Sequence, residues 1–377
     1  MTGSITGDPS GNATAGAAAG DHVRAEPEHI DGPWLTAALE AAGVARGATV
    51  TDVEVAGLIG TGQTGRNARL RLTWDEPEGR PATLVGKFAS ADDNAKLAAF
   101  TNGTYKNEWA FYDQLAHTLS VRTPACHVAR YDEATPAFVL VMEDIAGAQQ
   151  GDQFRGLSLD EADLAIEQAV GFHAPRWGDP TLADFAPERP KGDEAAMMLG
   201  MVYQMMVEPF LDRLGPGLDA DVIDLVRRLG PVAPAWAAGN DTPRTVVHLD
   251  YRPDNFMFGV DDGAPPLVVV DWQTVNHGFA MWDIAYMIGG SFEPSERARV
   301  ERELIADYLA RMAAADVPYD ADTAWRDYRL GAVWGVVMSV IATILAAETE
   351  RGNDMLTVMA QRHGRHAIDL DSMGLLA

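Results

Sequence analysis

Three polar residues near one another in the chain could together bind a metal ion and handle a proton. Asp250 and Asn255 are five positions apart, and Asp271 directly follows a short apolar run. Carboxylate and amide oxygens are hard ligands of the kind that Mg²⁺ prefers. A carboxylate can also accept or orient the proton of an attacking hydroxyl. These residue types and their spacing therefore predict a site for metal-assisted phosphoryl transfer.

A β-hairpin would bring these oxygens together. Residues 256–258 and 267–270 are short apolar runs, and the turn-forming sequence DDGAPP lies between them. Asn255 precedes the first run and Asp271 follows the second, so an antiparallel pairing puts both residues at the same end. We expect Asn255 and Asp271 to bind Mg²⁺, and Asp250, on the adjoining loop, to aim the acceptor hydroxyl.

His248 and Arg252 complete the candidate catalytic segment. His248 is expected to brace the loop. Arg252 either reaches the transferred phosphate or pairs with a carboxylate, and the sequence leaves both options open. Each acid taken singly could be a turn residue or a helix cap, but their joint spacing favours a catalytic site.

Lys87 is a candidate for binding the phosphates of a nucleotide. It stands in the apolar stretch LVGKF, where an unpaired buried charge would be costly. Glu108 follows within the next helical stretch, and a strand lysine paired with a helix glutamate is how kinases hold the α- and β-phosphates of ATP. Asp92 and Asp93 could compete for the lysine. The alternative is a surface lysine at a sheet edge.

A glycine-rich loop lies between two predicted strands. Gly60, Gly62 and Gly65 separate an apolar strand at 53–59 from an alternating strand at 67–74. Glycines let backbone amides approach phosphates closely, and a strand–loop–strand context is typical of the nucleotide-covering loop of kinases. By itself the spacing would equally suit an ordinary flexible hairpin turn.

The order of the elements predicts an α+β protein of two lobes. Residues 1–27 are expected to form a disordered tail, 28–142 a small β-rich N-lobe with one long helix at about 92–119, and 143–377 a larger, mostly helical C-lobe. The helices expected in the C-lobe are 159–173 (with Ser158 as N-cap), 195–210, 220–229, 233–238, 295–315 and 322–350. The apolar run 330–347 is interpreted as a buried helix rather than a membrane span.

Composition narrows the classes of partner. With 29 basic and 55 acidic residues the net charge is −26, which argues against nucleic acid as a partner. That charge fits a cationic substrate, although solubility or a salt-adapted host explains it more generally. The single cysteine, Cys126, excludes an internal disulfide. It indicates a reducing compartment, and we expect a cytoplasmic protein that is a monomer or a homodimer.

At these residues the sequence resembles the aminoglycoside phosphotransferase and choline kinase superfamily, and looks closest to its ecdysteroid-kinase-like branch and bacterial relatives. The segments that carry the resemblance are HLDYRPDN at 248–255, DWQ at 271–273, WDIAY at 282–286 and GFHAPRW at 171–177. The resemblance implies a bilobal protein-kinase-like fold, ATP and Mg²⁺ as cofactors, and a hydroxyl acceptor. It also implies that Asp283 braces the catalytic loop, and that the backbone near Glu143 and Ile145 holds adenine. Leu249 departs from the glycine found in many relatives.

Two rival functions remain to be weighed. A protein kinase needs an activation segment, and the interval between Asp271 and Asp283 is too short to hold one. A nucleotide-binding module without catalysis would have little use for Asp250, Asn255, Asp271 and Lys87 together. The acceptor is left open among aminoglycosides, amino sugars, amino alcohols and sterol-like alcohols. The methionine-rich segment 197–206 either lines an acceptor pocket or is core, and core is favoured.

Overall fold

The structure, a computed structural model, describes residues 23–60, 64–185, 192–239, 241–345 and 349–376. Within them the chain forms a β-rich first lobe and a mostly helical second lobe, which confirms the predicted α+β architecture of two lobes. The sheet of the first lobe ends at Glu143. Residues 1–22 of the expected tail lie outside the described residues, and Val23 already packs against the first lobe.

The first lobe is built around an antiparallel sheet with the strand order β1-β2-β3-β5-β4. Its elements, in chain order, are α1 (Gly32–Ala41), β1 (Val50–Ile59), β2 (Gly65–Trp74), β3 (Thr83–Ala89), α2 (Asp93–Thr101), α3 (Thr104–Ala110), β4 (Cys126–Tyr131) and β5 (Phe138–Glu143).

Strand β2 follows the alternation that the sequence predicts. Its apolar side chains Ala68, Leu70, Leu72 and Trp74 are buried, because a strand with period two presents every second residue to the core. Strand β3 lies between β2 and β5, so Lys87 sits in the middle of the sheet rather than at an edge. The sheet-edge explanation of Lys87 is therefore wrong.

The single long helix expected at about 92–119 is wrong. Helix α2 ends before Gly103, whose φ of 70° is the left-handed conformation that closes a helix. Helix α3 then starts as a separate helix, and single turns of π- and 3₁₀-helix continue to Thr118. Its residues Asn107 and Glu108 are buried, and they contact Gln273 and Lys87.

The second lobe is mostly helical, with short strands at its centre. Its elements are β6 (Ala148–Gln150), α4 (Leu159–His173), α5 (Gly192–Leu214), α6 (Ala220–Leu229), α7 (Ala233–Ala238), β7 (Thr245–Val247), β8 (Phe256–Gly259), β9 (Leu267–Val269), β10 (Asn276–Gly278), α8 (Ala280–Ser291), α9 (Pro294–Ala314), α10 (Ala321–Leu345) and α11 (Glu350–Asp369). Ser158 is the N-cap of α4, as the sequence predicts, and the structure adds a reciprocal capping box with Glu161.

Helix α10 contains most of the apolar run 330–347 and is buried in the second lobe. In the described part of the chain, none of the helices combines the length and the apolar character that a membrane crossing requires. The expected single helix at 322–350 ends early, at Leu345, and the separate helix α11 follows. The sequence pattern did not indicate α11, because this helix is rich in charged residues and contains Gly352 and Gly364.

The methionines of α5 are not where the sequence placed them. Met197, Met198, Met201 and Met205 are between 51% and 69% exposed, so core is the wrong interpretation for these four. The opposite face of α5, with Tyr203 and its neighbours, forms the core contact instead. Helical spacing identifies a common face, but it does not say which way that face points.

Candidate active site

One ammonium group is shared by two carboxylates where the lobes meet. Lys87 Nζ on β3 donates to Glu108 Oε1 on α3 at 2.7 Å and to Asp271 Oδ1, just after β9, at 3.0 Å. The two aspartates that could have competed are engaged elsewhere. Asp92 caps α2 through the backbone of Ala95, and Asp93 lies beside Lys96.

Burial and charge act against each other in this cluster. Burial alone would lower the pKa of Lys87, but the nearby carboxylates of Asp271 and Glu108 outweigh it and raise that pKa. For Glu108, burial raises the pKa to about 7 despite the opposing effect of Lys87. Burial also opposes ionisation of Asp271, yet Lys87 lowers the pKa of Asp271 overall. Two carboxylates against one ammonium leave room for a further cation.

The β8–β9 hairpin brings Asn255 and Asp271 to one end. Phe256 pairs with Val269, and the N–H of Val270 donates to Asn255 O at 3.0 Å. The Asn255 amide nitrogen donates to Asp250 Oδ2 at 2.8 Å, which leaves its oxygen as the atom able to face a cation. Asp271 similarly uses Oδ1 for Lys87, and its Oδ2 is the atom left to bind a metal.

The donor set fits Mg²⁺. One amide oxygen and one carboxylate oxygen are hard ligands, and protein-bound Mg²⁺ commonly takes one or two carboxylates and completes its shell with water and substrate phosphates. Among the described residues there is no group of three or more His, Cys, Asp or Glu that could hold a metal without such help.

The carboxylate of Asp250 is held from three sides. Its Oδ1 accepts from Arg252 Nε at 3.0 Å and from the hydroxyl of Tyr286 at 3.2 Å, while Oδ2 accepts from Asn255. Its side chain is still 16% exposed, so solvent can reach it. Arg252 also donates to Asp254 Oδ2 at 2.7 Å. Of the two options for Arg252, the structure therefore contains the pairing with carboxylates.

The loop that carries Asp250 is fixed by Asp283, which lies on α8. Its Oδ2 accepts from the backbone N–H of His248 and its Oδ1 from that of Leu249, both at 2.7 Å. His248 Nε2 lies 3.1 Å from Val270 O, and the Asp250 N–H lies 3.3 Å from His248 Nδ1. Both ring nitrogens of His248 thus contact backbone groups, and the ring braces the loop.

Two residues of the site adopt a left-handed backbone conformation that side chains seldom take. Leu249 has a φ of 63° and Asp271 a φ of 65°. At both positions the backbone thus has the geometry for which glycine is best suited. The conformation of Leu249 is held by Asp283 on its N–H and by Trp334, whose indole N–H donates to Leu249 O at 2.9 Å.

The structure describes the two ends of the glycine-rich segment, Gly60 and Gly65. Gly60 has a φ of 74°, and Gly65 lies so close to β3 that a Cβ there would meet Phe88 O at 3.0 Å and Lys87 at 3.6 Å. Gly62 lies outside the described residues. Thr64, at the end of the loop, donates from its hydroxyl to Gln273 Oε1 at 2.7 Å and so ties the first lobe to the second.

The segment expected to hold adenine lies where the lobes are joined. Glu143 is the last residue of β5, and its N–H donates to Ala125 O. Its carboxylate accepts two bonds from Arg122, at 2.7 and 2.9 Å. Ile145 follows, half-buried, before β6 begins. Adenine binding at Glu143 and Ile145 stays a prediction.

Sequence reasoning missed three groups that hold the site together. Tyr286 lies in the segment WDIAY at 282–286, but the sequence indicated no role for it. Gln273 accepts from Asn107 through its backbone oxygen and contacts Thr64 through its side chain. Arg362 of α11 reaches the segment before α4. These contacts join residues far apart in the chain, so no local spacing could have revealed them.

Comparison with known proteins identifies the family of this chain. Residues 67–319 match the model of a family described as the phosphotransferase enzyme family, and the chain belongs to that family. The predicted resemblance to aminoglycoside phosphotransferases and choline kinases is thereby confirmed. No curated protein matches the chain in sequence.

Solved structures share the fold at low identity. The GDP complex of aminoglycoside 2'-phosphotransferase-IIIa has a TM-score of 0.52 and 15% identity, over 86% of this chain and 98% of that one. Choline kinase from Cryptosporidium parvum Iowa II has 0.51 and 12%, over 86% and 91%. Ethanolamine kinase from Plasmodium vivax has 0.51 and 10%, over 82% and 81%. At these identities the likeness establishes a protein-kinase-like fold.

Proposed function

We propose that this phosphotransferase moves the γ-phosphate of ATP to a hydroxyl of a small molecule and depends on Mg²⁺. The observation that carries the proposal is the convergence of Lys87, Asp271, Asn255 and Asp250 around one end of the β8–β9 hairpin. Phosphoryl transfer asks a protein mainly for placement and for compensation of charge. This cluster offers an ammonium, two oxygen ligands and a carboxylate within one cleft.

Lys87 and the glycine loop are the groups that would hold the phosphates. Glu108 keeps the ammonium of Lys87 oriented from the first lobe, and Asp271 approaches it from the second. The close approach of Gly65 to β3 supports a loop whose backbone can lie against phosphate oxygens. An arginine would be less suited here, because a compact ammonium fits between two carboxylates as a point charge.

Asn255 and Asp271 are the residues that would hold Mg²⁺. When bound, Mg²⁺ would supply positive charge that offsets the negative charge developing on the phosphate during transfer. Lys87 is one ammonium facing two carboxylates, so with both Glu108 and Asp271 ionised the cluster retains a negative charge that favours a divalent cation. The amide nitrogen of Asn255, bonded to Asp250, keeps its oxygen turned the other way.

Asp250 is the residue that would receive the acceptor. Its carboxylate is partly exposed and would accept a hydrogen bond from the acceptor hydroxyl, which aims the hydroxyl oxygen at the γ-phosphate. The proton would pass to the same carboxylate as the new O–P bond forms and ADP leaves. The contacts from Arg252, Tyr286 and Asn255 hold that carboxylate in one orientation.

The acceptor is proposed to be a small molecule because the chain between Asp271 and Asp283 leaves no platform for a peptide. That interval is a single 3₁₀ turn followed by the short strand β10, which pairs with β7, and α8 begins at once. The named relatives act on aminoglycosides, choline or ethanolamine, which carry amino or quaternary ammonium groups, and a net charge of −26 is compatible with a cationic acceptor.

The test is a transfer assay with γ-labelled ATP, and with GTP in parallel, across kanamycin, amino sugars, choline, ethanolamine and a sterol. Wild-type protein should phosphorylate at least one acceptor, and Asp250→Ala should lower the rate about 10²- to 10⁴-fold while nucleotide affinity changes little. Asp262→Ala, an exposed acid in the same hairpin turn, is the matched control and should behave as wild type.

A second variant tests the metal assignment. Asp271→Ala should weaken nucleotide binding in the presence of Mg²⁺ and remove most of its Mg²⁺ dependence. Normal turnover by Asp250→Ala would overturn the mechanism, and unchanged Mg²⁺ dependence in Asp271→Ala would overturn the ligand assignment. Nucleotide binding without transfer to any acceptor or to water would favour the rival function of a binding module.

A further inference from the structure

Helix α11 lies beyond the part of the chain that matches the family model, which ends at residue 319. Two consecutive residues of this helix, Arg362 and His363, are nevertheless buried. Each begins a chain of contacts that ends on the Asp250 carboxylate. We propose that α11 positions Asp250, with Tyr286 and Arg362 as the positioning residues. The inference rests on the proposed function, because it matters to activity only if Asp250 receives the acceptor.

The first chain of contacts runs through an aromatic stack. The ring of Tyr286, on α8, lies flat on the ring of His363 with centroids 4.8 Å apart and planes 1° apart. The hydroxyl of Tyr286 donates to Asp250 Oδ1 at 3.2 Å. Both rings are almost completely buried, so Tyr286 cannot tilt away from Asp250 without moving α11.

Glycines make this stack possible. A Cβ on Gly335 of α10 would lie 2.1 Å from His363 Nδ1, and a Cβ on Gly290 of α8 would lie 3.1 Å from His363 Nε2. Both distances are shorter than ordinary contact, so any side chain there would push His363 off the ring of Tyr286. The fold has therefore left space at two neighbouring helices for a single imidazole, which argues for a defined position of α11.

The second chain of contacts begins at Arg362. Its guanidinium donates to Gln153 O and Gly290 O, both at 3.1 Å, and to Phe154 O at 3.2 Å. Three backbone oxygens are thus bound by one side chain that is only 8% exposed. The arginine fork can hold several acceptors at once in a fixed geometry, which a lysine cannot do. Arg362 thereby fixes the segment that enters α4.

That segment in turn holds Asp254, which pairs with Arg252, the arginine that contacts Asp250. The N–H of Gln153 donates to Asp254 Oδ1 at 2.9 Å, and Asp254 Oδ2 accepts from Arg252 Nη1 at 2.7 Å. Arg252 Nε then donates to Asp250 Oδ1 at 3.0 Å. Displacing the segment would move Asp254, and with it the arginine that contacts the catalytic carboxylate.

The two chains meet on the same atom. Tyr286 and Arg252 both donate to Oδ1 of Asp250, while Oδ2 faces Asn255. Two donors on one oxygen and one on the other fix the plane of the carboxylate as well as its place. Rates of transfer are sensitive to misplacement of the order of 1 Å, so loosening either donor should slow the reaction.

The experiment compares Tyr286→Phe and Arg362→Lys with the matched control Arg365→Ala, all in the full chain. Arg365 lies on the same helix but pairs with Asp221 at the surface. Two rates are measured per folded nucleotide-binding site. The first is phosphate release from ATP with water as the acceptor. The second is transfer to whichever acceptor of the panel the wild-type protein phosphorylates. Tyr286→Phe and Arg362→Lys should each lower kcat about 10-fold with KM for ATP within 2-fold. Arg365→Ala should leave both parameters unchanged.

A second measurement does not depend on turnover. Hydrogen exchange of the peptide spanning 248–256 should be about 10-fold faster in both positioning variants than in wild type or Arg365→Ala. A purely structural role would reduce the folded fraction and leave kcat per folded site unchanged, and that result overturns the proposal. Unchanged exchange at 248–256 overturns it as well. If wild-type protein binds ATP but transfers no phosphate, the proposed function is refuted instead. Hydrogen exchange at 248–256 then still decides whether α11 holds the loop that carries Asp250.

Discussion

Replacing Asp283 by asparagine tests how firmly the catalytic loop is held. The carboxylate of Asp283 is fully buried and accepts the N–H groups of His248 and Leu249, one on each oxygen. His173 Nε2 lies 3.3 Å from Oδ2, and burial lowers the pKa of His173, so the histidine is a neutral neighbour rather than a compensating charge. Asparagine keeps the shape of the side chain but offers one acceptor instead of two.

The magnitude follows from what asparagine cannot do. Its NH₂ group must face one of the two backbone N–H groups, so one short hydrogen bond to a charged acceptor is lost, worth about 1.5–3 kcal/mol. The N–H left without a partner is buried, which adds a penalty of about 1–3 kcal/mol, partly offset because a buried charge is removed. We expect Asp283→Asn to lower the free energy of unfolding by about 2–4 kcal/mol.

Urea unfolding measures this loss as a shift in midpoint at constant slope. Asp262→Asn, at an exposed turn position, is the control and should change stability by less than about 0.5 kcal/mol. The turnover of folded Asp283→Asn should also fall, because the loop would lose one of its two bonds to this side chain, at His248 or at Leu249. A loss of stability as small as that of the control would refute the assignment of Asp283 as the brace.

Two further predictions concern backbone strain and acid stability. Gly103 and Gly156 have φ values of 70° and 75°, but a Cβ on Gly103 meets open space, whereas one on Gly156 would lie 1.9 Å from Ser291 O. The free energy of unfolding from urea titrations should therefore fall by about 1 kcal/mol for Gly103→Ala and by about 3 kcal/mol or more for Gly156→Ala. Equal losses in the two variants would contradict the steric argument. Burial lowers the pKa of His363 to about 3. Below the ordinary histidine pKa the unfolded chain binds a proton that the buried ring does not bind. The free energy of unfolding is therefore highest above the ordinary histidine pKa and decreases as the pH falls toward 3. Between pH 7 and pH 4.5 wild type should lose about 3 kcal/mol more than His363→Phe in urea titrations, and parallel losses would mean that His363 is not buried as a neutral ring.

Local patterns in the sequence were enough for much of the scaffold. The N-cap at Ser158, the alternation along β2 and the two short runs of the β8–β9 hairpin were all predicted within a residue or two. Each of these depends on neighbours a few positions apart, so the chain itself contains the information. The long helix expected at about 92–119 failed at Gly103 because a glycine is tolerated within a helix as well as at its end.

The candidate site was predicted unevenly for the same reason. The spacing of Asp250, Asn255 and Asp271 indicated oxygen ligands at one end of a hairpin, since both strands of that hairpin lie within a single short stretch. For Lys87 the sequence left two environments open, because strand order is a property of the whole sheet. Only the position of β3 between β2 and β5 decided that the lysine is central and reaches Glu108.

The sequence by itself determined the chemistry of this protein: which oxygens and which ammonium are available, and that they can converge on one hairpin. The tertiary structure decided what holds them there. Tyr286 of α8 contacts Asp250 directly, and Arg362 of α11 acts on it through intermediates. Four methionines of α5 are exposed although their spacing equally suits a core. The physical reason is that helical period defines a face, whereas burial of that face depends on which distant element packs against it.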